Sequence, residues 1–90
     1  MMKKMIVEVI ETRGKGCGQG LKVGDVFQME ETHCEFCSWA HTAIFPFVQV
    51  LKYGGTFPWE KNPNEAIACC PDANDTVVFK ITAVEEEEAQ

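Results

Sequence analysis

The stretch that decides the fold is Phe36-Cys37-Ser38-Trp39-Ala40-His41-Thr42-Ala43-Ile44-Phe45-Pro46-Phe47-Val48-Gln49-Val50-Leu51-Lys52-Tyr53. Ser38, Thr42, Gln49 and Lys52 recur at helical spacing and form one polar stripe. Phe36, Ala40, Ala43, Phe47, Val50 and Leu51 fall on the opposite side, with Trp39 beside them. The pattern predicts one long helix from about Glu35 to Tyr53 whose wide apolar arc makes it the central core element. Pro46 lacks an amide hydrogen and crowds the carbonyl four residues back, so a kink or two abutting helices are expected there. Gly54-Gly55 supplies a left-handed cap at the end. The apolar run is interrupted by Thr42 and Gln49 and falls short of the roughly 18 to 20 apolar residues of a membrane span.

Strand patterns flank this helix. Met5 to Ile10 reads as a strand, with Met5, Val7 and Val9 on one face. Lys22-Val23-Gly24-Asp25 reads as a turn, and Val26-Phe27-Gln28-Met29 as a short strand after it. Ile67 to Cys70 and Thr76 to Val84 read as two more strands, joined as a hairpin by the turn residues of Pro71-Asp72-Ala73-Asn74-Asp75. The expected fold is α+β: a small, mostly antiparallel sheet of about four strands packed against one long, Pro-kinked helix. Ninety residues fit one domain. Residues 1–84 would form it, and 85–90 a disordered acidic tail.

Composition narrows the function classes. Hydrophobic residues make up 46% of the chain, too many for a disordered protein. The net charge is −6, and Glu85 to Glu88 supply four of the negative charges. No basic cluster exists, so no nucleic-acid partner is expected. The start, Met1-Met2-Lys3-Lys4-Met5-Ile6-Val7, is broken by Glu8 and Glu11 before a signal-peptide core can form, and a cytoplasmic location is expected. Asn74-Asp75-Thr76 matches a glycosylation sequon, which carries no meaning without secretion.

Five cysteines are the chemically distinctive feature, and their odd number forbids complete internal pairing. In a reducing compartment such residues are buried, metal-bound or redox-active more often than bridged. Cys34-Glu35-Phe36-Cys37 is a C-x-x-C at a helix start, where the helix dipole favours thiolate. It suits a redox pair of Cys34 and Cys37, although a preceding β-α-β order is lacking. Cys37 and His41 lie four apart on one flank of the helix, a spacing that suits a zinc or iron ligand pair. The bland reading is a small buried Cys37 and a boundary His41. Cys17 sits in the glycine-rich Gly14-Lys15-Gly16-Cys17-Gly18-Gln19-Gly20, which is neither a dinucleotide fingerprint nor a P-loop. Cys69 and Cys70, adjacent on a strand, must point to opposite faces, so one of them is expected to fill the core. A four-ligand site would combine Cys17, Cys37 and Cys70 with His41 or Cys34. His33 reads as a solvated residue. Phe57, Trp59 and Tyr53 would either fold down as a lid on the core or line a groove for a partner. No catalytic residues are expected: acid–base pairs and nucleophile elbows are missing from the sequence.

Several stretches taken together, Lys22-Val23-Gly24-Asp25-Val26-Phe27, Cys37-Ser38-Trp39-Ala40, Phe45-Pro46-Phe47, Tyr53-Gly54-Gly55, Pro58-Trp59 and Cys70-Pro71-Asp72, give the chain a family likeness. It resembles a family of very short, cysteine-containing prokaryotic proteins without an assigned activity, frequent in anaerobes. The likeness runs from Met5 to Val84. It implies Cys17, Cys37 and Cys70 as the recurrent cysteines, with Cys34 and Cys69 as extras, and Ser38 stands where that family often has proline. The leading expectation is a small cysteine-rich protein that binds zinc or iron through thiolates at Cys17, Cys37, Cys70 and His41, in a structural or sensing role. The alternatives are a thiol redox protein using Cys34 and Cys37, and a non-catalytic interaction domain using the Trp59 loop, with a protein partner or a homodimer.

Overall fold

The computed structural model describes residues 3–15, 20–29 and 36–85. Four strands and one helix follow in the order β1 (Lys3–Thr12), β2 (Val26–Met29), α1 (Ser38–Lys52), β3 (Glu65–Cys69) and β4 (Val77–Glu85). The sheet order is β2-β1-β4-β3, and every neighbouring pair is antiparallel. The expected α+β architecture and the β3–β4 hairpin are therefore present. A register shift between Val9 and Glu11 leaves Ile10 as a bulge against β4.

Alternation sorts the strand side chains onto two faces. Met5, Val7 and Val9 of β1, Val77, Phe79, Ile81 and Ala83 of β4, and Ala66 of β3 point inward and are buried. Helix α1 lies over this face, crossing β3, β1 and β4 and touching β3 most. Phe36, just ahead of the helix, fills the remaining space: its ring lies 5.0 Å from Phe27 of β2 and 5.7 Å from Phe79. Among the described residues, no helix lies over the other face of the sheet. There Glu8 stands opposite Lys80, and the Lys80 ammonium lies 3.7 Å from the Glu65 carboxylate. Val26 and Ile67 flank the Glu8–Lys80 pair in the same row, and both are exposed.

Helix α1 is shorter than the sequence pattern predicts, and its inward side differs. It starts at Ser38 with Cys37 as its N-cap, without a side-chain cap and without an acid in the first turn. The signals that mark a helix start are missing, which explains the overlong expectation. Pro46 lies inside one continuous helix, so the expectation of two abutting helices does not hold. Ala40, Ile44, Val48 and Leu51 are the buried residues, whereas Trp39 and Val50 are exposed. The helix end follows the sequence: Gly55 N–H donates to Val50 C=O and Gly54 N–H to Leu51 C=O, a Schellman motif with Gly54 at φ 87°.

Two loops are fastened by backbone bonds. Lys22-Val23-Gly24-Asp25 closes as a turn, with Asp25 N–H donating to Lys22 C=O and Lys22 N–H to the Asp25 carboxylate. The chain leaving β1 docks on the β3–β4 turn through Arg13 N–H to Thr76 C=O and Lys15 N–H to Asp75 Oδ1. Gly14 permits that close approach: a Cβ there would stand 2.2 Å from the Asn74 carbonyl oxygen, and its φ is 67°.

Candidate functional site

The predicted metal and redox residues divide into described and undescribed ones. Cys17 and Cys34 lie outside the described residues, as does His33. The complete four-ligand set and the Cys34–Cys37 pair therefore involve positions without described geometry. Among the described residues, no three His, Cys, Asp or Glu side chains gather as a metal site.

Cys37, Cys69 and Cys70 are free thiols of three different kinds. Cys70 is buried on the inner side of the hairpin end, and its sulfur accepts the Val77 amide at 3.3 Å. Its own amide donates to Val77 C=O at 3.0 Å, so the residue closes β3 against β4 through both groups. The adjacent Asp72 completes the turn, its Oδ1 accepting from the Asn74 and Asp75 amides. Cys69 points the other way and is exposed. It lies in the row Glu11–Val78–Cys69 across the open face. Arg13 stands near it: the hydrogen bond and charge of Glu11 raise the guanidinium above its ordinary pKa, and Cys69 adds to that rise. Opposite faces for Cys69 and Cys70, and a core role for one of them, match the expectation from strand alternation.

Cys37 is half-buried and packs against the core at the head of α1. The His41 amide donates to Cys37 C=O, which places the two residues one helical turn apart. The His41 ring stacks against Phe45 at 5.7 Å and lies 6.0 Å from Phe36. The pair thus sits at the aromatic edge of the core.

The largest unexplained feature lies elsewhere, on the outer side of α1. Trp39 is 58% exposed, Tyr53 75% and Trp59 67%. The expectation of a lid folded onto the core is overturned for Trp59 and Tyr53. Only Phe57 turns inward. Its ring packs on Phe47 of α1 at 5.4 Å and carries Trp59 on its outside at 5.1 Å. Glu60 then ties the loop to the sheet edge, its carboxylate accepting the Ile67 amide at 3.1 Å. That bond also occupies a donor that an edge strand would otherwise offer to another chain. Phe45 and Phe47 of α1 are half-buried, and Trp39, Ala43, Pro46 and Val50 of α1 and the cap residue Tyr53 are exposed or half-buried and are spaced 4-3-4-3. Such spacing keeps them on one stripe, and Phe47 connects that stripe to the Phe57–Trp59 stack.

Sequence reasoning named the Trp59 loop but counted Trp39 and Val50 with the core arc. The signal that could have separated them was the second apolar stripe itself, since a helix covering one sheet face needs only one.

No protein-family model, curated protein or solved structure matches the chain. No helix among the described residues is long and apolar enough to cross a membrane.

The different settings of the two neighbouring thiols generate a measurable contrast. Cys70→Ala leaves the buried Val77 amide without its sulfur acceptor and should cost about 1–3 kcal/mol. Cys69→Ala should stay within about 0.5 kcal/mol of the parent. Urea unfolding of the two variants checks this, and equal losses would contradict the assignment of the buried thiol.

Proposed function

We propose that this chain is a non-catalytic interaction domain that docks a protein partner on the outer side of α1 and the Trp59 loop. The observation that carries the reading is the exposure of three large aromatic side chains along one continuous band. Fully burying a large apolar side chain contributes roughly 1.5–3 kcal/mol, and the fold leaves more than half of each of these residues in water. Scattered apolar residues are ordinary on a protein surface, but a contiguous aromatic band marks a contact site. Aromatic enrichment with few charges is the composition of an interface centre. On α1 the one charged side chain is Lys52, and it lies 5.6 Å from the Tyr53 ring centre.

A second reading keeps the thiolates as ligands for zinc or iron. One observation favours it: Arg13 and Lys15 hold the chain just ahead of Cys17 against the turn that follows Cys70. Elemental analysis of anaerobically purified protein tests it. The metal reading expects about one equivalent of zinc or iron, as a single thiolate site would hold. Below about one-tenth of that, with no uptake on titration, the metal reading falls.

The interaction reading expects the exposed aromatics to be dispensable for folding. In dilute solution, Trp39→Ser, Tyr53→Ser and Trp59→Ser should each change unfolding free energy by no more than about 0.5 kcal/mol. At the same dilution, where the band is open, the triple variant should also lose most of the parent's binding of the hydrophobic dye anilinonaphthalene sulfonate. Losses of about 3–5 kcal/mol per site, as for core aromatics, would assign these side chains to the fold and remove the reading.

A further inference from the structure

We infer that the occupant of the α1 face is a second copy of this chain, its α1 laid antiparallel across the first about a two-fold axis at Pro46. This rests on the interaction reading above and names the partner.

The exposed stripe is self-complementary. Trp39 lies seven residues before Pro46 and Tyr53 seven residues after it. A two-fold axis through Pro46 therefore sets Trp39 of each copy against Tyr53 of the other. Ala43, Pro46 and Val50 occupy the middle, where smaller side chains let two helices approach. An isologous contact requires this arrangement, because one patch must complement itself under the two-fold operation. The 4-3-4-3 spacing is the seam spacing of paired helices.

Charge favours the same occupant. The chain carries a net −6, of which Glu85 to Glu88 supply four, so two copies repel overall. The α1 stripe holds no acid, and the Glu60 carboxylate near Trp59 is turned to the Ile67 amide. Two copies can meet here without placing like charges together. The open sheet face also exposes Val26 and Ile67, but Glu8 and Lys80 stand between them in the same row, so a contact there would bury charged side chains.

The exposed aromatics supply part of the area a dimer needs. Taking roughly 200 Å² per aromatic side chain, the exposed parts of Trp39, Tyr53 and Trp59 present about 400 Å² per copy. A specific interface buries about 600–1,000 Å² from each partner, so Ala43, Pro46, Val50 and the side chains flanking the stripe have to supply the rest.

Sedimentation equilibrium of the full chain over a wide concentration range tests the inference. The parent should approach twice its 10.1 kDa mass, and Trp39→Glu and Tyr53→Glu should each raise the dimer dissociation constant at least about tenfold. Far-ultraviolet circular dichroism of both variants should match the parent's. Mixing Trp39→Lys with Trp39→Lys/Tyr53→Glu chains adds a register check: the mixture should associate more tightly than Trp39→Lys alone. A control, Ile67→Glu on the open sheet face, should leave the dimer intact. A monomeric parent whose band still binds the dye would overturn the second-copy assignment and leave the docking reading standing. A monomer without dye binding would overturn both. A dimer broken by Ile67→Glu and untouched by Trp39→Glu would place the contact on the sheet and overturn the inference.

Discussion

A four-stranded sheet has two faces, and α1 is the one helix among the described residues that covers either. The chain settles this shortage by making the faces unlike. The inner face is aliphatic and aromatic, centred on Phe79, and takes the helix. The outer face carries cross-strand charges beside the exposed Val26 and Ile67, and no described helix covers it. Helix α1 must therefore supply a complete apolar stripe of Ala40, Ile44, Val48 and Leu51. Having supplied it, the helix still presents a second apolar stripe, and no described element lies over it. The functional reading follows from that surplus.

Much of the fold was legible because its signals are local. Strand β2 and the Lys22–Asp25 turn stand where alternation and glycine placed them, and Cys69 and Cys70 divide between faces as neighbours on a strand must. The Gly54-Gly55 cap was readable for the same reason. The inward side of α1 was not. Trp39, Ala43, Ile44, Val48 and Val50 are all apolar, so periodicity located the polar stripe without choosing which apolar flank meets the sheet. That choice depends on contacts with Ala66, Phe79 and Ile81, which are distant in sequence. The helix start was misplaced because Cys37 caps it without a hydrogen-bonding side chain.

The candidate site was partly legible. Trp59 was named, but its outward setting depends on Phe57 taking the inward position against Phe47. Whether the cysteines converge could not be read from spacing, because it depends on tertiary contacts between segments distant in sequence. The hairpin end itself has a structural use for one thiol: Cys70 accepts the Val77 amide. A buried cysteine with this role needs no chemistry to account for it. Among the described residues the aromatic band has no comparable role in the fold, which is why it carries the stronger functional argument.

The claim that the outer stripe of α1 is free in one copy and covered by another is most directly tested by intrinsic tryptophan emission across a dilution series. Trp39 and Trp59 are the two tryptophans in the chain, and both lie in the band. The account predicts long-wavelength emission, as from indole in water, at high dilution, and a shift to shorter wavelength as concentration rises. Emission that holds one wavelength at every concentration would contradict it.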